Sequence, residues 1–572
     1  MKRLLRYMAN YKYHLFLALL LALASNLLAL AGPMLSGKAV NVISEGKGAV
    51  EFNKVWYYAG LMIAFYVVSA LLSYALSVLM LHIAQRLAGR MRKEVFDRLL
   101  SLPVGYFDRN QAGDIISRVS YDIDVVATSV SNDFVQVVAS VVTVVGSLVM
   151  MIVISPKLVL VMVFMIPLSI YYTRYMAKKT RPMFRKRSAK AGELNGMVEE
   201  LITGQKTIQA YAREKVMTER FDVKNEEAVC AYYDAEYYGS MIGPTVNFIN
   251  NCSLTAVTVA GAVLYLLKQL LLGDISAFVL YSRKLLGPFN ELANVISEIQ
   301  SALSASERVF RVIEEPAETK DIDGAVALEN AKGNVMMENV NFSYVPDRPI
   351  IRDWSMRAKT GQLVAIVGPT GAGKTTIINL LMRFYDPQSG EIRVDGYENR
   401  EITMKSLRAS YAMVLQETWV FEGTVHENIA YGREGVSREE VIKAAKAAGV
   451  HEFVKRLPEG YDTVITEDGV NLSKGQKQLL TIARAMLSEA KMLILDEATS
   501  NVDTRTELRI REAMLKLMQG KTCFVIAHRL STIQNADNII VVNNGKIEES
   551  GTHTELMKKQ GFYYKLYASQ FQ

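Results

Sequence analysis

LVAIVGPTGAGKTT, residues 363–376, decides how the rest of the chain is read. LVAIV is a short apolar, β-branched run of the kind that forms a buried strand. The glycine-rich turn Gly368, Pro369, Thr370, Gly371, Ala372, Gly373 follows, and Lys374, Thr375 and Thr376 open a helix. The spacing fits G-x-x-x-x-G-K-[ST]. Glycines let backbone N–H groups close around phosphate oxygens, Lys374 adds a point charge, and the Thr375 hydroxyl is placed for magnesium. A chance glycine turn would lack the strand before it and the helix after it.

Outward from this turn, the pattern from Asn334 onward is one of short runs between turns and helices: MMENVNFSY, LVAIVG, TTIINLLMRF, MLILD, TCFVIAH and NIIVV. Strands alternating with helices argue a mainly parallel sheet with helices packed on it. MLILDE, residues 492–497, is a buried-strand pattern ending in two carboxylates. Asp496 suits a magnesium contact at a strand tip, and Glu497 suits orienting or deprotonating an attacking water, as nucleotide hydrolysis requires. Alone, this would read as a solvated acidic turn; beside a phosphate loop it reads as catalytic.

Toward the N-terminus the character changes. The chain has 572 residues, 50% of them hydrophobic and only 22% charged, with a mean hydropathy of +0.13. That is too long for one core and unusually apolar for a soluble protein. Nearly all the long uncharged runs precede residue 310: Leu15 to Gly37, Val55 to Gln85, Phe134 to Pro156, Leu158 to Thr173 and Tyr237 to Leu267. A sixth, Ile275 to Ile299, is interrupted by Arg283, Lys284 and Glu291. Six spans return the chain to the side where it began. The basic start resembles a secretory signal, but Leu15 to Gly37 is long enough to cross a bilayer and further spans follow.

The net charge of +7 does not point to nucleic acid. Arg86, Arg90, Arg92, Lys93 and Arg98 follow one run, and Lys178, Lys179, Arg181, Arg185, Lys186 and Arg187 follow another, as the positive-inside bias places them. Cys230, Cys252 and Cys523 show no metal or disulfide spacing and read as free thiols. The organisation expected is a transmembrane domain over 1–315, a linker over 316–333 beginning at Pro316, and a nucleotide-binding domain over 334–572.

Gly368 to Thr376, Ser473 to Gln476 and the pair Asp496, Glu497 together resemble the nucleotide-binding domain of an ATP-binding cassette (ABC) transporter. Six spans with long cytoplasmic extensions, followed by one such domain, resemble an exporter-type half-transporter over essentially the whole chain. The fold class implied is an α-helical six-span transmembrane domain followed by an α/β P-loop nucleotide-binding domain. The resemblance implies ATP and Mg2+ as cofactors, with Thr375, Gln416 and Asp496 at the metal and Glu497, Gln416 and His528 as the catalytic group. Tyr344, in NFSYVPDRP, matches the aromatic that stacks on adenine; Gln416, in MVLQETWVF, matches the glutamine that reaches metal and water; His528, in VIAHRLSTI, matches the histidine at the terminal phosphate.

In such proteins the turn holding Ser473, Gly475 and Gln476 closes on the ATP of the opposing domain, so a chain with one cassette implies a second half-transporter. The family pattern there is Leu-Ser-Gly-Gly-Gln, and Lys474 departs from it; Asn501 is a second, smaller departure. Altered signature with intact glutamate resembles the catalytic-glutamate subunit of heterodimeric bacterial multidrug-type exporters, whose partner carries an altered Walker B glutamate. A homodimer tolerating the lysine is the alternative. The segments 108–119 and 203–214 resemble the coupling regions that dock on cassettes. The function expected is ATP-driven export of hydrophobic or amphipathic compounds, drugs, lipids or peptides, across a bacterial plasma membrane by alternating access. An ATP-gated or regulatory membrane protein without transport stays open. Asn26, Asn247, Asn250, Asn251, Arg283 and Lys284 are the polar residues at membrane depth, suited to substrate contact or to helix-to-helix bonding.

Overall fold

Residues 2–44, 46, 50–416, 418–466, 472–496, 503–526 and 533–569 are described in a computed structural model of the chain. They divide into two units: Met1–Leu100 with Ala112–Glu315, and Ser101–Gln111 with Pro316–Gln572.

The first unit is helical: α1 (Lys2–Ala9), α2 (Lys12–Ile43), α3 (Phe52–Leu100), α5 (Ala112–Ser117), α6 (Ile123–Ile154), α7 (Pro156–Thr203), α8 (Gln205–Ala210), α9 (Glu214–Ser240), α10 (Ile242–Leu266) and α11 (Leu272–Glu314). The helix α4 (Val104–Arg109) falls in the second unit. Among the described residues four stretches are long and apolar enough to cross a membrane by length and composition: Lys12–Ile43, Phe52–Leu100, Ala112–Ile154 and Glu214–Leu266. The fourth and sixth apolar runs of the sequence lie inside α7 and α11. Ser155 alone joins α6 to α7: its hydroxyl accepts from the Leu158 N–H at 3.4 Å, and Pro156 takes the first helical position, where a missing N–H is harmless. At about 1.5 Å per residue, α7 is roughly 70 Å long, far beyond its apolar run.

Two of the intramembrane polar residues bond between or within helices. The Lys284 ammonium of α11 donates to the Ala29 carbonyl of α2 at 2.7 Å, one turn from Tyr281, whose hydroxyl donates to the Leu30 carbonyl at 2.6 Å. Helix carbonyls retain a second lone pair, so each can accept from a side chain besides its own helix bond. Asn26 donates to Ala22 of its own helix at 2.8 Å. Arg283, Asn247 and Asn251 are exposed in this unit and Asn250 is half-buried. Further down, Arg308 of α11 grips buried Asp122 with Nε at 2.9 Å and Nη2 at 2.6 Å, tying α11 to the residue that precedes α6.

In the second unit a six-stranded sheet runs in the order β12-β11-β3-β10-β9-β6, with β3 (Leu363–Val367), β6 (Tyr411–Val414), β9 (Met492–Asp496), β10 (Thr522–Ile526), β11 (Asn538–Asn543) and β12 (Lys546–Gly551). All its pairings are parallel except β11 with β12. A four-stranded antiparallel sheet, β2-β1-β4-β5, packs beside it, formed by β1 (Val335–Phe342), β2 (Ile351–Ala358), β4 (Ser389–Val394) and β5 (Tyr397–Glu398). Trp354, Ile366, Ile377 and Phe524 belong to the core around α12 (Lys374–Leu381). A second core lies on the other side, under α14 (Val425–Ala430), α15 (Arg438–Ala447), α17 (Lys474–Leu487) and α18 (Thr504–Met518). The small elements α13 (Met404–Ala409), α16 (His451–Val454), β7 (Gly423–Thr424) and β8 (Val464–Ile465) lie in the connections. The β-branched strand interiors are buried on both faces, the pattern of a covered parallel sheet.

Candidate nucleotide site

The parallel register gathers the candidate residues at one edge. Ile366 of β3 pairs with Ile526 of β10, Ile526 with Asp496 of β9, and Leu495 of β9 with Val414 of β6. The phosphate turn, Asp496 and Gln416 therefore all leave the sheet at its carboxyl edge, where ligands bind in open α/β sheets. Asp496 stands two strands from β3, about 10 Å across the backbone at the usual strand spacing. Gln416 is exposed, two residues beyond the end of β6. Glu497 and His528, which follow β9 and β10, lie outside the described residues, as does Asn501.

The turn itself is shaped by close approach. Gly373 caps α12 at φ 103°, where an added Cβ would sit 2.8 Å from Ile351 Cδ1. At Gly368 a Cβ would come within 2.3 Å of the Val542 carbonyl oxygen. Both positions require glycine, one for its conformation and contact, the other because β11 presses on the loop. Pro369, Thr370 and Gly371 are exposed between them, and Ala372 is buried.

Lys374 is only 7% exposed. Its ammonium donates to the Gly368 and Pro369 carbonyls at 2.8 and 3.0 Å, which holds it over the loop. Burial lowers its pKa, and the Asp496 carboxylate partly opposes that shift. A cation desolvated beside a ring of amides is suited to phosphate oxygens, which restore its lost solvation. Thr375 is exposed at the second helical position, and Thr376 is buried.

The hydroxyl of Thr375, the amide of Gln416 and the carboxylate of Asp496 form an all-oxygen donor set with one charge. That composition fits Mg2+, which takes one or two carboxylates and completes its shell with water and phosphate oxygens. These residues would hold the ion; its chemistry there is to neutralise charge on the phosphates.

Tyr344 is fixed by its neighbours. Its hydroxyl accepts from Asn379 Nδ2 of α12 at 2.9 Å and donates to Thr376 Oγ1 at 3.4 Å. Its ring meets Phe342 and Tyr385 edge-on, at centroid distances of 4.9 and 5.0 Å. Half-exposed and anchored beside the phosphate helix, it presents a flat surface for a base.

Sequence reading missed Asn379 and Tyr385. The aromatic pair in RFYDP, residues 383–387, was the available signal, but core packing explains such a pair equally well. Tyr385 reaches further than Tyr344: its hydroxyl donates to Asp108 of α4 at 2.5 Å. A Cβ added at buried Gly105 would lie 2.9 Å from its ring. Arg408 adds a paired contact to Glu318 at 3.0 and 2.5 Å, and the Glu318 N–H donates to the Ser101 carbonyl at 2.8 Å.

Ser473 and Gln476 belong to no strand end; they stand at the start of α17. Ser473 Oγ accepts from the Gln476 N–H at 3.3 Å, and Gln476 Oε1 accepts from the Ser473 N–H at 2.8 Å, a reciprocal cap. Lys474 is the first helical residue; it is exposed and has no positive φ. Gly475 is buried. Position 474 therefore makes no use of glycine's conformational freedom, so a lysine there leaves the turn intact and changes only its charge. The helix is held from behind by Arg484, which donates to the Asn428 carbonyl at 2.8 Å and lies over Phe421 and Tyr431.

Comparison with known proteins agrees with this geometry. Residues 15–289 match the family described as ABC transporter transmembrane region, and residues 351–500 match ABC transporter. The uncharacterized ABC transporter ATP-binding protein YfiC of Bacillus subtilis (strain 168) is 40% identical over 572 residues, covering 100% of this chain and 94% of that protein. The fatty acid ABC transporter ATP-binding/permease protein of Mycobacterium bovis (strain ATCC BAA-935 / AF2122/97) is 43% identical, covering 93% and 84%. The ATP-dependent lipid A-core flippase of Syntrophus aciditrophicus (strain SB) is 34% identical, covering 89% and 85%. The solved structure of a bacterial Atm1-family ABC exporter with ATP bound superposes with a TM-score of 0.77 at 29% identity, covering 98% of this chain and 99% of the other.

Proposed function

Because the chain belongs to the ABC transporter family, as an exporter that couples ATP hydrolysis to transport across a membrane, we propose that it moves an amphipathic, lipid-like substrate out of the bacterial cytoplasmic leaflet. The observation that carries the substrate class is a cavity of about 410 Å3 between α6 and α11. It is lined by Val137, Val141, Val145, Val295 and Ile299, with Ser140 the one polar residue among the lining. A wall of this kind rewards an acyl chain and penalises a polar solute. The names of the relatives, a fatty acid transporter and a lipid A-core flippase, point the same way.

In this reading the amides of Gly368 to Gly373 and the Lys374 ammonium hold the β- and γ-phosphates, Tyr344 stacks on adenine, and Thr375, Gln416 and Asp496 hold Mg2+. Glu497 orients the water whose oxygen attacks the γ-phosphorus and takes its proton as the bond to the bridging oxygen breaks. His528 contacts the terminal phosphate. Ser473, Gly475 and Gln476 serve the nucleotide of an opposing cassette, so the working unit is two chains. The two coupling regions support that. Helix α4 packs with Tyr385 inside the cassette unit, whereas α8 has no buried residue and is flanked by exposed Ile202 and Tyr211, a surface suited to the cassette of the second chain. The N-terminus and cassette face the cytoplasm, the side to which the positive-inside bias assigns the basic clusters.

The opposing chain is proposed to be a different half-transporter with an altered Walker B glutamate, on the strength of Lys474. A homodimer is favoured by one observation: the cap of Ser473 and Gln476 is complete with lysine in place. The experiment is ATPase and lipid-translocation measurement in proteoliposomes, with the chain alone and with such a partner, each with and without Glu497→Gln. Activity only with the partner, abolished by Glu497→Gln, is expected. Full activity from the chain alone overturns the heterodimer, and ATP turnover with no lipid movement, insensitive to Val141→Asp, overturns the substrate class.

A further inference from the structure

A second cavity, of about 580 Å3, lies between α2 and α3, away from the one just described. Its volume is within the range of ordinary ligand sites. Because the two helices run antiparallel, the residues lining it sort by depth. His14, His82 and Arg86 line the end toward the basic cluster in the last part of α3, to which Arg86 belongs, whereas Leu17, Leu21, Val78 and Leu79 line the deeper end. From Arg86 to Tyr74, at the deep limit, is twelve residues of helix, or roughly 18 Å.

The basic end has no anion of its own. Arg86 and His82 are exposed and make no ion pair among the described residues, and no carboxylate lines the cavity. The nearest acid along α3, Glu94, is occupied by Arg90 at 2.8 Å and by the Tyr7 hydroxyl. A guanidinium at the edge of the hydrocarbon layer is stable only with a counter-charge or water. A slot that is apolar at one end and cationic at the other therefore complements an amphiphile with a negative head. A helix of another chain would cover the apolar walls but leave Arg86 uncompensated unless it brought an acid.

We propose that the α2–α3 cleft binds an acidic phospholipid of the cytoplasmic leaflet, with its phosphate between Arg86, His82 and His14 and an acyl chain along Leu17, Leu21, Val78 and Leu79. The site rests on the orientation argued above, and is separate from the α6–α11 cavity proposed for the substrate. A lipid here bridges the two helices and holds the base of α3, the helix whose end leads into α4.

The test uses the full-length protein in phosphatidylcholine nanodiscs doped with photoactivatable phosphatidylglycerol, with adducts mapped by mass spectrometry. Adducts are expected on residues 11–21 and 74–86. Arg86→Gln with His82→Gln should lower their yield about tenfold, since each cation near the surface contributes about fivefold for arginine and less for histidine. A photoactivatable phosphatidylcholine should give a low yield that the substitution does not change. Val78→Trp, which fills the slot, should lower labelling while retaining ATPase. Equal labelling by the two lipids, no effect of either variant, or labelling only by a photoactivatable fatty acid overturns the proposal. Loss of lipid export with this labelling preserved refutes the substrate reading alone, because the two are read by separate assays.

Discussion

Tyr385→Phe deletes one oxygen atom from the contact between the nucleotide unit and α4, and its effect can be worked from the geometry. The phenol donates to Asp108 at 2.5 Å while its ring abuts Tyr344 at 5.0 Å. Burial first, and the Asp108 bond second, raise the phenol pKa, so it remains a protonated donor at any physiological pH. A hydrogen bond to a charged group contributes about 1.5–3 kcal/mol when shielded. Asp108 is exposed, and solvent screening leaves about 1 kcal/mol, or roughly fivefold in a coupling equilibrium. Basal ATPase of the assembled transporter should stay within about twofold of wild type, because the ring and its packing remain. The substrate-stimulated increment should fall about fivefold. Gly105→Ala should do more, since its Cβ at 2.9 Å from the ring forces Tyr385 aside at a cost of about 1–3 kcal/mol. In a double-mutant cycle, Tyr385→Phe with Asp108→Asn should be no worse than either alone. If Tyr385→Phe lowers basal and stimulated rates equally, the tyrosine serves nucleotide binding alone and the coupling argument fails; full additivity with Asp108→Asn refutes the direct bond.

Two further outcomes concern the thiols and the helix caps. Cys523 is 1% exposed and burial pushes its thiol up to about 12, whereas Cys230 is exposed in α9, ahead of the apolar run that holds Cys252; aqueous maleimide labelling of the folded protein should modify Cys230 and spare Cys523 until denaturant is added, and early labelling of Cys523 would contradict its place in β10. Backbone amides at the helix starts hold the Glu427, Glu440 and Glu555 carboxyls below their usual range. Folded values below the unfolded ones mean that this stabilisation is present above about pH 4.3 and is lost as pH falls through the folded values; hydrogen exchange at the starts of α14, α15 and the helix His553–Lys559 should therefore quicken, beyond the intrinsic change, only as pH falls below about 4.3, and unchanged protection there would refute the caps.

Much of the nucleotide site was legible because its chemistry is local. A strand, a glycine turn and a lysine at the start of a helix are contiguous, and the amides that bind phosphate come from the same few residues. Strand ends were legible too, because an apolar run that stops at Asp496 can end only at a sheet edge. Tyr385 was illegible for the opposite reason: its partner Asp108 is 277 residues away, and nothing in RFYDP distinguishes a packing tyrosine from one that reaches out. Lys284 shows the same limit, since a lysine in an apolar run reads alike whether it meets substrate or, as found, the Ala29 carbonyl.

The amino-acid sequence by itself determined the division into membrane and nucleotide-binding parts, the phosphate turn and the alternation of strands and helices around it, because periodicity, charge and glycine placement act within a few residues. Tertiary structure alone decided which edge of the sheet collects Gln416, Asp496 and the phosphate turn, that Lys474 sits in ordinary helical backbone, and that Tyr385 joins Tyr344 to α4. Those are matters of register and of side chains meeting across long loops, where burial and hydrogen-bond partners are set by the whole packed unit.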